Sequence, residues 1–400
     1  QSSTTADISA KALTATASTA NKTYDGGTTA STTLTFTGLV GSETLGQTVG
    51  STFDNKNVGT GKTVTVNSIT LADGTNGGLA ANYSISAGQT TTAHISPKSL
   101  TVSGNTASNK VYDSNSSATV SVTLSGFVGS ETLTYTNSSS FNNKNVGTGK
   151  TVTVDSITLA DGNNGGLASN YSITPGQTTT ANITAKSLTI SGIIASSKTY
   201  NGSTSATLDT SAILYSGLIP GDIFDGSYTG AFSNANVGTG KTVTITSSYT
   251  GADVSNYSIT NQTSTTADIS AKALTATASA SNKTYNATNY ASVTLTLSGL
   301  VGSETLGSTN TSTFNNKNVG TGKTVTVNSI TLADGSGLAA NYSISAGQTT
   351  TANITAKALT VSGITASNKT YDGSTNVTLD PSLVAYSGLV GGDTFDGTYT

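Results

Sequence analysis

Lys-x-Leu-Thr returns at Lys11, Lys98, Lys186, Lys272 and Lys357, in steps of 87, 88, 86 and 85 residues. A chain written this way folds as copies of one unit rather than around a single large core. Three further markers keep the same beat. An aromatic turn stands at Tyr24-Asp25-Gly26, Tyr112-Asp113-Ser114, Tyr200-Asn201-Gly202, Tyr285-Asn286-Ala287 and Tyr371-Asp372-Gly373. Phe53, Phe141, Phe232 and Phe314 each precede an Asn-Val-Gly, and Asn-Tyr-Ser-Ile recurs from Asn82, Asn170, Asn256 and Asn341. These markers set the boundaries: 1–10 as the tail of a preceding repeat, 11–97, 98–185, 186–271 and 272–356 as complete repeats, and 357–400 as a partial fifth. Two flavours alternate in part: Gly-Ser-Glu-Thr follows Lys11, Lys98 and Lys272, whereas Gly-Asp-Ile/Thr-Phe-Asp-Gly follows Lys186 and Lys357.

Within a repeat the apolar period is two. Leu13, Ala15 and Ala17 alternate with Thr and Ser, as do Val64 and Val66, and Tyr83 and Ile85. Such alternation marks half-buried strands. Between Val66 and Ile69 the parity flips, which predicts a bulge or bend at Asn67-Ser68. Gly and Asn cluster between these runs, so six to eight short strands per repeat are expected, with at most one helical turn in Ser-Asn-Lys-Thr-Tyr or Leu-Ala-Ala-Asn-Tyr. The expected fold is all-β: a tandem array of ~87-residue β-sandwich or β-grasp-like domains. Each copy has its own Tyr, Phe and Tyr, so it reads as a self-contained bead. No Pro/Gly/Ser spacer separates copies, so the junctions are expected to be stiff and the array an elongated rod of roughly 30–40 Å per repeat.

Composition narrows the chemistry. Cys is absent, which removes disulfides and thiolate metal sites. The basic residues are all Lys and the net charge is −3, so the chain has no electrostatic footprint for nucleic acid. No apolar run is long enough to insert a helix in a membrane.

Asn57–Val66 reads Asn-Val-Gly-Thr-Gly-Lys-Thr-Val-Thr-Val, a phrase close to a phosphate-binding loop. The first glycine of that motif would fall at Lys56, Lys144, Ala235 or Lys317, and the residues after the lysine alternate like a strand. A turn leading into a strand is expected instead. The stretch Leu71–Tyr83, which concentrates Asp, Asn and Gly, offers one carboxylate, too few for Ca²⁺, and its fourth copy is two residues shorter. His94 is replaced by Asp7, Asn182, Asp268 or Asn353 in other copies, so it is expected to be an exposed polar residue. Glu43, Glu131 and Glu304 are the only glutamates. They are expected to be exposed strand-end carboxylates, with a Lys–Asn isopeptide crosslink as the sharper alternative. No catalytic, cofactor-binding or metal-binding residue is assigned, and an enzyme is not expected.

The Tyr-Asp-Gly turn, the Val-Gly-Thr-Gly-Lys-Thr-Val-Thr-Val phrase, Asn-Tyr-Ser-Ile and Ala-Asn-Ile-Thr-Ala-Lys-Ala-Leu-Thr-Val together resemble the YDG/MBG-type β-rich repeats of filamentous-haemagglutinin-like bacterial surface adhesins. The wording weakens at Ser114, Asn201 and Asn286-Ala287, which argues against a ligand role for the Asp. The resemblance implies an extracellular or bacterial cell-surface setting, export within a very large polypeptide, and the role of a stalk or spacer that presents a distal binding region. The implied partners are neighbouring repeats. Two rivals are self-association into fibres through edge-strand pairing and repeated modules for host-cell or matrix glycans. The glycan reading requires shared aromatics to be exposed; Tyr24 and Tyr83 are expected to be buried.

Overall fold

A computed structural model describes residues 3–400 and shows an all-β chain with short 3-10 turns and no longer helix among the described residues. It divides into two compact units. One runs to Leu188 and includes Gly217–Phe224 and Gly251–Ser258; the other comprises Thr189–Ser216, Asp225–Thr250 and Ile259–Thr400. The cut passes through the third repeat.

In the first unit, the first repeat contains eight strands: β1 (Lys11–Ala12), β2 (Thr14–Thr19), β3 (Lys22–Thr23), β4 (Thr32–Thr37), β5 (Leu45–Phe53), β6 (Gly59–Asp73), β7 (Tyr83–Ser84) and β8 (Thr90–Ser96). A 3-10 turn at Ala80–Asn82 fills Leu-Ala-Ala-Asn-Tyr, whereas Ser-Asn-Lys-Thr-Tyr carries strand β3 instead of a helical turn. The sheets are the ribbon β2–β4, the parallel pair β1–β7 and a curled four-stranded sheet in the order β3-β8-β6-β5. Strand β3 runs parallel to β8, pairing Lys22 with Ile95, so Tyr24 enters directly over the end of the sheet. Phe53, Val64, Val66, Ala93 and Ile95 line its buried face.

The parity flip is a bulge. Gly50 pairs with Ser68 and Ser51 with Val66, which leaves Asn67 as the extra residue. The same slip recurs at Asp155 and Asn328, between Ser156 and Val154 and between Ser329 and Val327. In the second unit, Asp225–Phe232 pairs with Gly238–Thr250 without a slip, and that long strand is correspondingly shorter.

The phosphate-loop lookalike is the bulged start of β6. Gly59 faces Ile95 and Lys62 faces Ala93, three steps on one strand against two on the other. Gly61 takes the left-handed φ of +61° that this requires, and its N–H donates to His94 Nδ1 at 2.9 Å. Asn182, Asp268 and Asn353 accept the corresponding glycine N–H at 2.8, 2.7 and 2.8 Å. His94 itself is exposed, as expected, whereas Asn182 and Asn353 are half-buried, and the position selects an acceptor rather than a charge.

One expectation about packing is corrected. The repeats are not self-contained beads: Leu100 and Tyr171 of the second repeat belong to the same buried cluster as Tyr24, Phe53, Val64 and Ile95 of the first. In the second unit, Leu274 and Tyr342 join Tyr200, Phe232, Val243 and Ile269 in the same manner. A thin Thr- and Ser-rich sheet buries too little apolar area alone, so the next copy closes it.

Candidate functional site at the repeat seams

The Tyr-Asp/Asn turn begins from a caged lysine. Lys22 Nζ donates to Asp25 Oδ1 and Gly27 O, both at 2.7 Å, and to Thr29 O at 3.1 Å, while lying 5.6 Å from the centre of the Phe53 ring. Asp25 Oδ1 also accepts the Gly27 N–H at 2.9 Å, folding an Asx turn. Lys198 repeats the cage with Asn201 Oδ1 at 3.0 Å, Ser203 O at 2.5 Å and Ser205 O at 2.9 Å. The turn therefore needs a side-chain oxygen, and Asn provides one as well as Asp. Burial pulls the ammonium pKa of Lys198 and of Lys283 down, and in both copies the partner is a neutral Asn.

This cage aims the tyrosine into the following repeat. Tyr24 is 1% exposed, and its hydroxyl donates to Glu131 Oε1 at 2.7 Å. Tyr171 donates to the other oxygen, Oε2, at 2.7 Å, and Lys56 Nζ binds Oε1 at 2.9 Å. The two rings meet edge to face with centroids 5.5 Å apart. Beside them Asn170, fully buried, accepts the Val58 N–H at 2.9 Å and donates to Asn57 Oδ1 at 3.1 Å. Glu131 is thus buried at 7% exposure, which corrects the expectation of an exposed strand-end carboxylate. A carboxylate there is tolerable because three donors satisfy it.

The second seam of this unit has the same plan with two acids. Tyr112 donates to Asp253 Oδ1 at 3.2 Å, and Tyr257 donates to Asp222 Oδ2 at 2.5 Å. Ser114 Oγ donates to Asp222 Oδ1 at 2.8 Å. Lys144 lies 2.9 Å from Asp253 and 3.5 Å from Asp222. The Val146 N–H reaches Asn256 Oδ1 at 2.9 Å.

In the other unit, Tyr200 and Tyr342 clasp Glu304 at 2.7 and 2.6 Å, and Val237 N–H donates to Asn341 at 2.9 Å. Ala235 stands where Lys56 and Lys144 stand, so the tyrosines hold this acid without a lysine. Tyr285 donates to Asp393 Oδ1 at 3.1 Å at the last seam.

The electrostatics match the geometry. Burial pushes the Glu131 carboxyl pKa up, but the bonds from Tyr171, Tyr24 and Lys56 outweigh it and hold it below the ordinary value. Burial raises Asp222 as well, and Tyr257, Ser114 and Tyr112 bring it down. The Ile223 N–H and then Lys144 lower Asp253. Tyr171 and Tyr257 are pushed up to about 12 by burial and then by their acid partners; Tyr200 reaches about 12 through its bond to Glu304 and then burial. Lys56 is raised by Glu131 and then Tyr24, so it is a protonated ion-pair partner there rather than the free amine an isopeptide bond would need.

The remaining candidates have structural uses. Asp73 Oδ1 accepts the Ala80 N–H at 2.7 Å, Asp161 the Ala168 N–H at 2.7 Å, and Asp334 the Ala339 N–H at 2.7 Å despite the shorter loop. That cap explains how the loop loses two residues without losing its anchor. No group of three or more His, Cys, Asp or Glu side chains among the described residues is placed to hold a metal ion.

The seam acids were hidden in the sequence because their partners lie in the next copy. Their one signal was recurrence: every copy places a carboxylate at the same offset after Gly-Leu-Val, Gly-Phe-Val or Gly-Leu-Ile. No curated protein matches the chain. The profile of the YDG domain matches residues 9–93, 96–181, 184–267 and 270–352, in four consecutive copies. These matches take in the tyrosine, the acid and the asparagine that build the seams, and the chain belongs to the YDG domain family.

Proposed function

We propose that this array is a structural stalk or spacer of a large secreted or surface-attached bacterial adhesin, presenting a distal binding region and bearing tension. The observation that supports this reading is the seam itself: one repeat after another inserts its Tyr-Asp/Asn tyrosine onto an acid of the following copy. A buried carboxylate clasped by two tyrosines resists sliding in every direction, because any shift leaves a charge without donors. Tension would then pass through side-chain bonds and a shared apolar cluster as well as through the connecting backbone. The glycan-module reading gains no support from Tyr24, Tyr112 and Tyr83, which are 1%, 1% and 7% exposed. The extracellular setting rests on the family resemblance and on the Cys-free composition.

Single-molecule stretching of the chain tests the proposal. A tension-bearing array gives unfolding events whose force drops when Glu131→Ala opens one seam. Equal forces in the variant and the parent, or free pivoting between copies in negative-stain images, would remove the basis for a stalk.

A further inference from the structure

The residue after the Tyr-Asp/Asn pair varies, and it varies with the acid it faces. Gly26 precedes a repeat whose seam acid is Glu131, and Gly202 precedes one with Glu304. Ser114 precedes a repeat with Asp222, and Ala287 one with Asp393. Wherever the acid loses a methylene, the turn gains a β-carbon. We propose that this position and the seam acid form a matching code that selects which flavour of repeat docks next: Gly with Glu, and Ser or Ala with Asp.

The geometry supplies a reason on each side. A β-carbon built on Gly26 would lie 2.7 Å from Val128 Cγ1, and one on Gly202 would lie 3.0 Å from Val301 Cγ1. In both glutamate repeats the valine therefore packs against a bare turn. On the other side, Ser114 spans the distance that the shorter Asp222 leaves, bonding its Oδ1 at 2.8 Å. Ser114 and Ala287 hold left-handed φ values of 67° and 60°, a conformation that favours glycine. A non-glycine residue there is unfavourable within its own turn, and at Ser114 the bond to Asp222 across the seam offsets that cost. Val390 stands in the fifth repeat where Val128 stands in the second, so an aspartate repeat can keep that valine while facing Ala287. Volume-conserving exchange of this kind is what a packed interface tolerates best.

The code shares its seam with the stalk reading, yet its test is separate, because it asks about coupling between two positions rather than about strength. In the full chain, Gly26→Ser and Glu131→Asp are made singly and together, and exchange of the Val58 amide is followed by mass spectrometry. Each single change is expected to speed exchange roughly tenfold, and the double change to return it to within about threefold of the parent. Rates in the double variant equal to the product of the singles would overturn the code.

Ser114→Gly gives a second arm in which the sign decides. If only the turn matters, glycine relieves the left-handed strain and exchange of the Val146 amide slows or stays level, which also overturns the proposal. The code predicts faster exchange, restored by adding Asp222→Glu. Gly373→Ser is the control: nothing lies within 4 Å of its added β-carbon, so the amides of the other seams keep the parent rates.

Discussion

Asn170 Oδ1 accepts the backbone N–H of Val58 at 2.9 Å across 112 positions of sequence. That bond ties the second repeat to the first, and Asn170 is fully buried. Asn170→Ala is therefore expected to destabilise the first seam by about 1–3 kcal/mol, the cost of leaving a buried donor unmet. Asn82 occupies the same place in the first repeat and is exposed, and its substitution by Ala should stay within about 0.5 kcal/mol. Chemical denaturation of the two variants side by side checks the contrast.

The seams should loosen in acid. Glu131, Asp222 and Asp253 ionise below their ordinary values of 4.5, 3.8 and 3.8 in the folded chain. A depressed carboxyl stabilises fully above its unfolded pKa and loses that contribution as pH falls through the folded one. Exchange of the Val58 and Val146 amides is expected to accelerate as pH drops below about 4, beyond the intrinsic change in exchange chemistry. Glu131→Gln should flatten the profile at Val58 while leaving that at Val146 unchanged.

The alkaline limb has the opposite sign. Tyr171, Tyr200 and Tyr257 ionise near 12 instead of 10.0. A raised phenol stabilises fully below its unfolded pKa, and the contribution disappears as pH rises from there through the folded value. Phenolate absorbance should show a late class of tyrosines, and thermal stability should decline between pH 10 and about 12. Tyr171→Phe is expected to remove one member of the late class.

Asp25→Asn should be nearly silent, within about 0.5 kcal/mol, because Asn201 already performs the same task for Lys198. Asp25→Ala removes both the lysine contact and the Gly27 acceptor, and should cost about 1 kcal/mol. Thermal unfolding of both variants separates a need for oxygen from a need for charge.

How far the sequence disclosed this architecture depends on the distance over which each signal acts. The bulge at Asn67 was visible because a one-residue slip reverses inside and outside within a single strand. Of the two stretches read as able to hold one helical turn, Leu-Ala-Ala-Asn-Tyr holds the 3-10 turn and Ser-Asn-Lys-Thr-Tyr holds a strand. The fate of Glu131 was not legible. Tyr24 lies 107 positions away, and in a tandem array a tyrosine of the same copy and one of the preceding copy read identically. Only the fold tells which of the two is met; here it is both, Tyr24 from before and Tyr171 from within.

That arrangement gives assembly a direction. Tyr24 finds its acid and its covering ring only in residues translated long after it, so a copy stays unfinished until most of its successor has left the ribosome. Wherever folding keeps pace with synthesis, completion of each copy lags by one copy. The youngest copy always waits with its aromatic side chain bare, and a stalled or truncated chain would leave that side chain available to bind a stray partner.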